Sequence, residues 1–402
     1  MADRRFNGHR ARALSAHRPP VAVPACSRLL ACSPARAALA PAPAPPQRKF
    51  DLAEALKLVS LTTKWRREKN VRAIAENDPY DLVKCSEDEL LAYYPKTYLP
   101  LPDLEGRPIY AEKGGSADID ALLMLVDHDM GRMVDYHIYG NEVHMRNCFR
   151  QMTERAGRPV HTITTIMDME GFSMKMIGAL TRNYVAAMIG IDKEHYPETL
   201  GKMIFINVPS VFAMGFAMIK PFLDERTVRK IEIMASPEVW KPRLVELVGL
   251  ESLPAEYGGA LVVAGGIYPA TKTKSITLAV GKVLNEFVAA RAGETMRFKW
   301  FCRPGDVRMS LAFVPGALPA LSSSPATATD VPLPKSPGEV TIKALQDHPG
   351  SDTRFIEDAP TAAADGYFVA SFDNRAGWYE RTIFFRVDKM IDGRPECAVR
   401  KA

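Results

Sequence analysis

Asp168 and Glu170 are the side chains of this chain most readily offered as an acid and a base. They stand two residues apart beside Gly171, at the end of the β-branched and apolar run Thr162 to Met169. Two carboxylates do catalytic work only with a partner base, a metal ligand or a scissile bond placed between them, and nothing in the surrounding sequence supplies one. They read as strand-terminal structural groups. The wider search for catalysis ends in the same way, with no GxSxG elbow, no phosphate-binding GxxxxGK[ST] loop, no HExxH and no GxGxxG after a strand. The six cysteines, Cys26, Cys32, Cys85, Cys148, Cys302 and Cys397, are dispersed, with no CxxC pair and no histidine cluster at zinc spacing. They read as reduced thiols of a cytosolic protein. The chain is therefore expected to be no enzyme and to use no metal and no cofactor.

Binding chemistry is better represented. Nine of the 18 methionines fall between Met167 and Met234, and flexible thioether chains suit a wall that must accommodate apolar chains of variable shape. Plain core filling explains them too when they are taken alone. Thr227 and Lys230 stand three apart, on one face of a short helical turn.

The elements that must position these groups centre on His195 to Lys230. A turn at Tyr196-Pro197-Glu198 leads to a run from Lys202 to Asn207 whose content suits a strand covered on both faces. Pro209 ends it and Ser210 can cap a helix. That helix carries Phe212, Phe216, Ile219 and Leu223 as an apolar stripe, which Lys220-Pro221 should end or kink. Upstream, Asp51 with Glu54 starts a helix bearing Leu52, Leu56 and Val59 and ending near Trp65. Gly106-Arg107-Pro108 turns into a strand at Ile109 to Ala111, and Asp118 to Arg155 is mostly helical with more than one apolar face, hence largely buried. Thr162 to Met169 and Ile231 to Met234 add interior strands. Strands alternating with helices predict an α/β domain with a mixed, largely parallel sheet ending near Gly259.

These residues carry a resemblance. YPETLGKMIFINVPSVF followed by KPFLDERTVRKI, with Arg48-Lys49-Phe50-Asp51, Asp103 to Tyr110, Thr165 to Gly171 and Leu253 to Gly259, is similar to the CRAL-TRIO lipid-binding domain of the fungal-type phosphatidylinositol/phosphatidylcholine transfer proteins. The resemblance implies an apolar pocket for one phospholipid, enclosed by helices on a mixed sheet, and phospholipid binding and transfer as the function. It implies Arg48, Glu198, Thr227 and Lys230 as the phosphatidylinositol headgroup set. Tyr110, Tyr139 and Thr165 are implied for phosphatidylcholine, where tyrosines suit a quaternary ammonium by cation–π contact. Phe212, Phe216, Ile219 and Phe222 belong to the helix that the resemblance makes a gate. Two departures stand out: the helical bundle that the family places before Arg48 is missing, and the family's serine two residues before Thr165 is Ile163 here. The same cavity serves tocopherol, retinoid or sterol precursors in other relatives, so a carrier of another hydrophobic ligand is the alternative, and a lipid-sensing adaptor that recruits trafficking partners is a second.

At 402 residues and 47% hydrophobic content the chain has room for more than one domain. A net charge of +5, partly from the N-terminal tail, argues for no nucleic-acid partner. Residues 1–47 are rich in Ala, Pro and Arg and read as a disordered tail, with an organelle transit peptide as the less favoured reading. Residues 48–260 are assigned to the lipid-binding domain and 261–274 to a linker. From 275 to 390 the pattern turns to period two in Met296 to Trp300, Val307 to Phe313 and Thr382 to Val387, which predicts an antiparallel β-sandwich with a disordered loop at 316–339. Phe372-Asp373-Asn374 with Trp378 and Tyr379 resembles the GOLD domain, which implies a protein partner for the sandwich. No apolar run reaches the length of a membrane span, the longest candidate stopping at Lys220. The expected location is cytoplasmic and peripheral at membranes, Golgi or endosomal by resemblance.

Overall fold

The computed structural model describes residues 52–263, 266–268, 271–303, 307–316, 326–329, 339–348 and 355–396. The tail 1–47 and Arg48 lie outside the described residues. Helix α1 (Leu52–Glu68) carries Glu54 in its first turn and Arg66 and Arg67 in its last, the order that the helix dipole favours. It buries no residue fully. It is held by Trp65, stacked on His195 at 3.6 Å, and by Arg66, which donates to both oxygens of the buried Glu142 at 2.6 and 3.0 Å. Three short helices follow, α2 (Val71–Glu76), α3 (Pro79–Val83) and α4 (Glu87–Tyr93). Their length is under two turns, too short for a hydrophobic period to show. A capping box between Ser86 and Glu89 starts α4.

The first sheet takes strands β1 (Lys96–Tyr98), β2 (Ile109–Glu112), β3 (Ile163–Asp168), β4 (Leu200–Ile206) and β5 (Ile231–Ile233) in sequence order. The β1–β2 pair is antiparallel and the other three pairs are parallel, so the sheet is mixed and largely parallel, as expected. Helices α5 (Ile119–Leu125), α6 (Met130–Tyr139) and α7 (Arg146–Ala156) connect β2 to β3, with a π turn, Gly140–Met145, joining the last two. Leu122, Leu123, Met133 and Ile138 are almost wholly buried there, in line with the several apolar faces of this stretch. Helix α8 (Ala179–His195) precedes β4, α9 (Phe212–Ile219) and α10 (Glu225–Arg229) lie between β4 and β5, and α11 (Pro237–Val248) follows. Trp240, Leu244 and Val248 of α11 cover one face of the sheet against Ile109, Ala111, Ile166, Ile204 and Ile206. Each such leucine, isoleucine or valine, fully buried, contributes about 1.5–3 kcal/mol. The other face of the sheet is left for the site.

Three expectations are corrected in detail. Ser210 caps nothing: α9 starts after Val211 with no side-chain cap, because Pro209 and Ser210 are taken up in the turn that leads into it. Part of the stretch assigned to a linker at 261–274 is packed against the first half of the molecule. Leu261 and Ile267 are buried in the α11 cluster, and the Tyr257 and Tyr268 hydroxyls lie 2.8 Å apart, since isolated apolar side chains in a Gly-rich segment find the groove beside α11. Within the expected loop 316–339, Ala326–Thr329 is a strand paired to Val283–Glu286, as the alternating threonines allow; most of that stretch lies outside the described residues.

The C-terminal region is antiparallel throughout, in strands β6 (Lys274–Leu278), β7 (Val283–Ala290), β8 (Met296–Arg303), β9 (Val307–Pro315), β10 (Ala326–Thr329), β11 (Val340–His348), β12 (Ile356–Asp358), β13 (Gly366–Asp373), β14 (Arg381–Ile391) and β15 (Arg394–Pro395). One sheet has the order β10-β7-β13-β9-β11; the other is β12-β8-β14-β15, with β6 also on β14. Phe298, Trp300 and Phe385 of the second meet Phe313, Phe368 and Phe372 of the first, a sandwich core of edge-on aromatic rings. Strand β8 is buried on both faces. Its Arg297, Lys299 and Phe301 point away from the sandwich core and onto α4, so the two halves of the molecule share a buried contact.

Candidate functional site

The uncovered face of the first sheet forms the floor of a cavity of about 3270 Å³, walled by α6, the π turn, α7, α8, α9 and α10. Strand register arranges that floor in rows. Tyr98, Tyr110, Thr165, Met203 and Ile231 stand side by side in one row, and Lys96, Glu112, Met167 and Phe205 in the next. Side chains two apart on a strand share a face, so both rows point the same way, and all nine line the cavity. The floor is thus polar at the antiparallel β1–β2 edge and apolar across β3 and β4. Met176, Met188, Phe212, Phe216 and Ile219 continue the apolar wall.

Of the four residues proposed for an inositol phosphate, the structure brings three together. Lys230, just after α10, donates to the Leu200 carbonyl at 2.7 Å and to Glu198 Oε2 at 3.4 Å. Arg226 lies 3.8 Å from the other Glu198 oxygen. Glu198 has a left-handed backbone (φ 59°), uncommon for a side chain of this size and held by the Tyr196-Pro197 turn. Thr227 is one turn before Lys230, but its hydroxyl donates to Asp224 Oδ2 at 2.9 Å, so it serves the start of α10. Glu198, Thr227, Lys230 and Arg226 all line the cavity at the N-terminal ends of β4 and β5. Arg48 lies outside the described residues. Arg226 escaped the sequence reading because one charge on a polar turn carries no periodic signal.

Tyr110, Tyr139 and Thr165 also line the cavity, Tyr110 and Thr165 as register neighbours. Tyr110 and Tyr98 are tilted together at 4.7 Å, and burial raises both phenols well above their ordinary range. Tyr139 stacks on Tyr136 at 6.4 Å and sits edge-on to His144 at 5.2 Å, whose imidazole burial holds below the usual range. Thr165 is buried beside Tyr110 in the register. Sequence reasoning left out Lys96 and Glu112 from this set. Burial pushes the Lys96 ammonium down and the Glu112 carboxyl up. On a three-residue strand, the alternation that would have pointed Lys96 inward is too short to detect.

The four gate residues divide. Phe212 is buried among Phe172, Phe205 and Phe216 at 5.4, 5.2 and 5.8 Å and roots the helix. Phe216 and Ile219 are half-buried and line the cavity. Phe222, in the 3-10 turn Lys220–Phe222 that ends α9, is exposed, as is Met214. Gly215 is required for close approach, since a Cβ there would come within 2.7 Å of the Phe172 ring. Asp168 takes the structural role expected of it: buried, it accepts from Asn207 Nδ2 at 2.9 Å and the Glu170 amide at 3.1 Å.

An apolar cavity on a mixed sheet, with a charged turn at one edge and a short apolar helix across it, defines a lipid-binding α/β domain. Residues 93–259 match the CRAL/TRIO domain. The chain is 34% identical over 219 residues to the Sec14 cytosolic factor of Schizosaccharomyces pombe, 54% of this chain and 73% of that protein, and 33% identical over 224 residues to the SEC14 cytosolic factor of Kluyveromyces lactis, 55% and 71%. It belongs to the CRAL/TRIO family, among Sec14-type proteins. It is also 32% identical to the phosphatidylinositol/phosphatidylcholine transfer protein SFH4 of Arabidopsis thaliana over 54% of this chain, which spans 34% of the plant protein. Among the described residues no helix is long and apolar enough to cross a membrane.

Proposed function

We propose that this protein binds one phospholipid in the cavity and transfers it between membranes, or presents it there, with an inositol lipid as the first cargo. The observation that carries this reading is the floor of the cavity. About 3270 Å³ is roughly three times the upper end of the 300–1,000 Å³ that small-molecule pockets occupy. Its apolar strip, Met167, Met203 and Phe205, lies between a cationic edge at Lys230 and a row of tyrosines. A two-chain lipid with a polar headgroup satisfies both parts, whereas a wholly apolar terpenoid would set the polar edge at Lys96, Glu112 and Tyr110 against hydrocarbon. The names of the relatives point the same way. Exchange takes place at the surface of Golgi or endosomal membranes, reached by α9 and the turn that ends it, through the exposed Met214 and Phe222. The sandwich, GOLD-like in its Phe372-Asp373-Asn374 motif, serves as a platform for a protein partner.

Native mass spectrometry of the purified protein should show one copurified phosphoinositol lipid. Lys230→Ala should slow phosphatidylinositol transfer between vesicles by about 10- to 100-fold, the loss of one charge-assisted hydrogen bond of about 1.5–3 kcal/mol. An unchanged rate would remove Lys230 from the site, and a chain that carries no lipid mass at all would remove the function.

A further inference from the structure

Lys96 is in an unusual place for an ammonium. Its strand partner is Glu112, and both face the cavity. Its Nζ lies 5.4 Å from the ring centroid of Tyr94 and 5.3 Å from that of Tyr136, both within the ~6 Å reach of a cation–π contact. Tyr136 is fixed in turn, because its hydroxyl donates to Glu87 Oε1 at 3.0 Å. Burial lowers the pKa of Lys96, and the fields of Glu112 and Glu87 counter this by favouring the charged form. A cation flanked by two aromatic rings, with carboxylates nearby, is the arrangement by which proteins recognise a quaternary ammonium. Here the chain supplies the cation itself.

Resting on the phospholipid reading above, we propose that Lys96 determines headgroup choice: its ammonium occupies the aromatic site that a choline would take, so choline lipids are turned away while inositol lipids are not. The argument is electrostatic and steric together. A choline entering between Tyr94 and Tyr136 would have to displace Lys96 from both rings. If it settled instead beside Tyr98, Tyr110 and Tyr139, it would bring a second cation to the edge that the Lys96 ammonium already holds. Glu112 and Glu87, the carboxylates that face this edge, already favour the Lys96 ammonium, and Asp192 on α8 is tied to its own neighbours. His137 Nε2 and Asp192 Oδ1 are joined at 2.7 Å, and Asn141 adds a donor to the same oxygen at 2.9 Å. Burial holds His144 below its usual range. An inositol headgroup meets no such conflict. It carries no cation, and its phosphate has Lys230 and Arg226 at the other edge of the sheet.

The test is competitive loading. Purified full-length protein is exchanged against vesicles holding phosphatidylinositol and phosphatidylcholine in equal amounts, and the bound lipids are counted by native mass spectrometry for the wild type, Lys96→Gln and Lys96→Arg. The wild type should load inositol lipid in at least tenfold excess. Lys96→Gln should raise the choline-to-inositol ratio at least tenfold, and Lys96→Arg, which keeps the cation, should hold the wild-type ratio. A wild type that loads both lipids equally, or a Lys96→Gln ratio like that of the wild type, overturns the proposal while the phospholipid reading stands. A wild type that loads neither lipid overturns both. Should Lys96→Gln fail to fold, Lys96→Met, which keeps the length of the side chain without its charge, takes its place with the same expected rise, and a ratio like that of the wild type overturns the proposal.

Discussion

Glu89→Ala is expected to lower the stability of the folded chain by about 3–5 kcal/mol and to loosen the sandwich from the helices that carry the cavity. Glu89 is almost wholly buried. It accepts from Arg297 Nη2 at 2.9 Å and Lys299 Nζ at 3.1 Å across the contact between the two halves, and from the Ser86 amide at 2.9 Å within its own capping box. Behind it Arg297 and Arg386 share Asp388, and Arg386 also reaches Asp88. Three carboxylates thus meet three cations, and removal of Glu89 takes from the buried Lys299 the carboxylate it donates to and leaves Arg297 with Asp388 alone. Differential scanning calorimetry of the wild type should show the two halves unfolding together, and of Glu89→Ala two separated transitions. A shift below about 1 kcal/mol would mean that water reaches the cluster and that the charges act as an ordinary surface network.

The same residue sets an acid limit. Burial alone would raise the Glu89 carboxyl, but Lys299 and Arg297 outweigh it and hold the group at about 2, against its ordinary 4.5. The unfolded chain therefore takes up this proton before the folded chain does. The stabilisation is complete above about pH 4.5 and falls away as the pH drops toward 2, a loss of roughly 3 kcal/mol from this one group. Glu89→Gln should flatten that part of the stability profile. If its slope between pH 4.5 and 2 matches that of the wild type, other carboxylates dominate acid unfolding.

Long elements with a clear period were legible in the sequence. The β3 and β4 strands, the α9 stripe and its stop at Lys220-Pro221, and the alternation in β8, β9 and β14 stand where the residues placed them. What sequence could not show is what each face meets. In β8, Arg297 and Lys299 alternate with Phe298 and Trp300 as a solvated face would, yet they are buried because α4 brings Glu89 to them. Helix α8 escaped notice for the complementary reason: only Tyr184 is buried in its 17 residues, since one of its faces lines a cavity and so never had to be a continuous apolar stripe. The site shows the same limit. Glu198 and Lys230 were found through an ordered motif, whereas Lys96 became visible only when the register put it opposite Glu112.

Phe216→Asp and Phe212→Asp should give opposite outcomes, although the two residues stand one turn apart on the same helix. Phe212 is 4% exposed and touches three other phenylalanine rings. A carboxylate there sits among three aromatic rings with almost no exposure, and losing the ring costs about 3–5 kcal/mol beside the desolvation of the charge. Phe212→Asp should therefore melt the α/β half. Phe216 is half-buried, with one side on Phe205 and Phe212 and the other on the cavity, so its replacement can be hydrated while α9 stays rooted. The fold should survive, but the wall that faces acyl chains now carries a charge, and the helix that approaches an anionic bilayer is repelled by it. Transfer and vesicle flotation should fall together, by at least tenfold, with circular dichroism unchanged. A Phe216→Asp protein that is molten would make this helix an ordinary piece of core. One that is folded and still transfers at the wild-type rate would place the moving wall elsewhere on the cavity, with the first turn of α8 and its exposed Leu180 as the next segment to change.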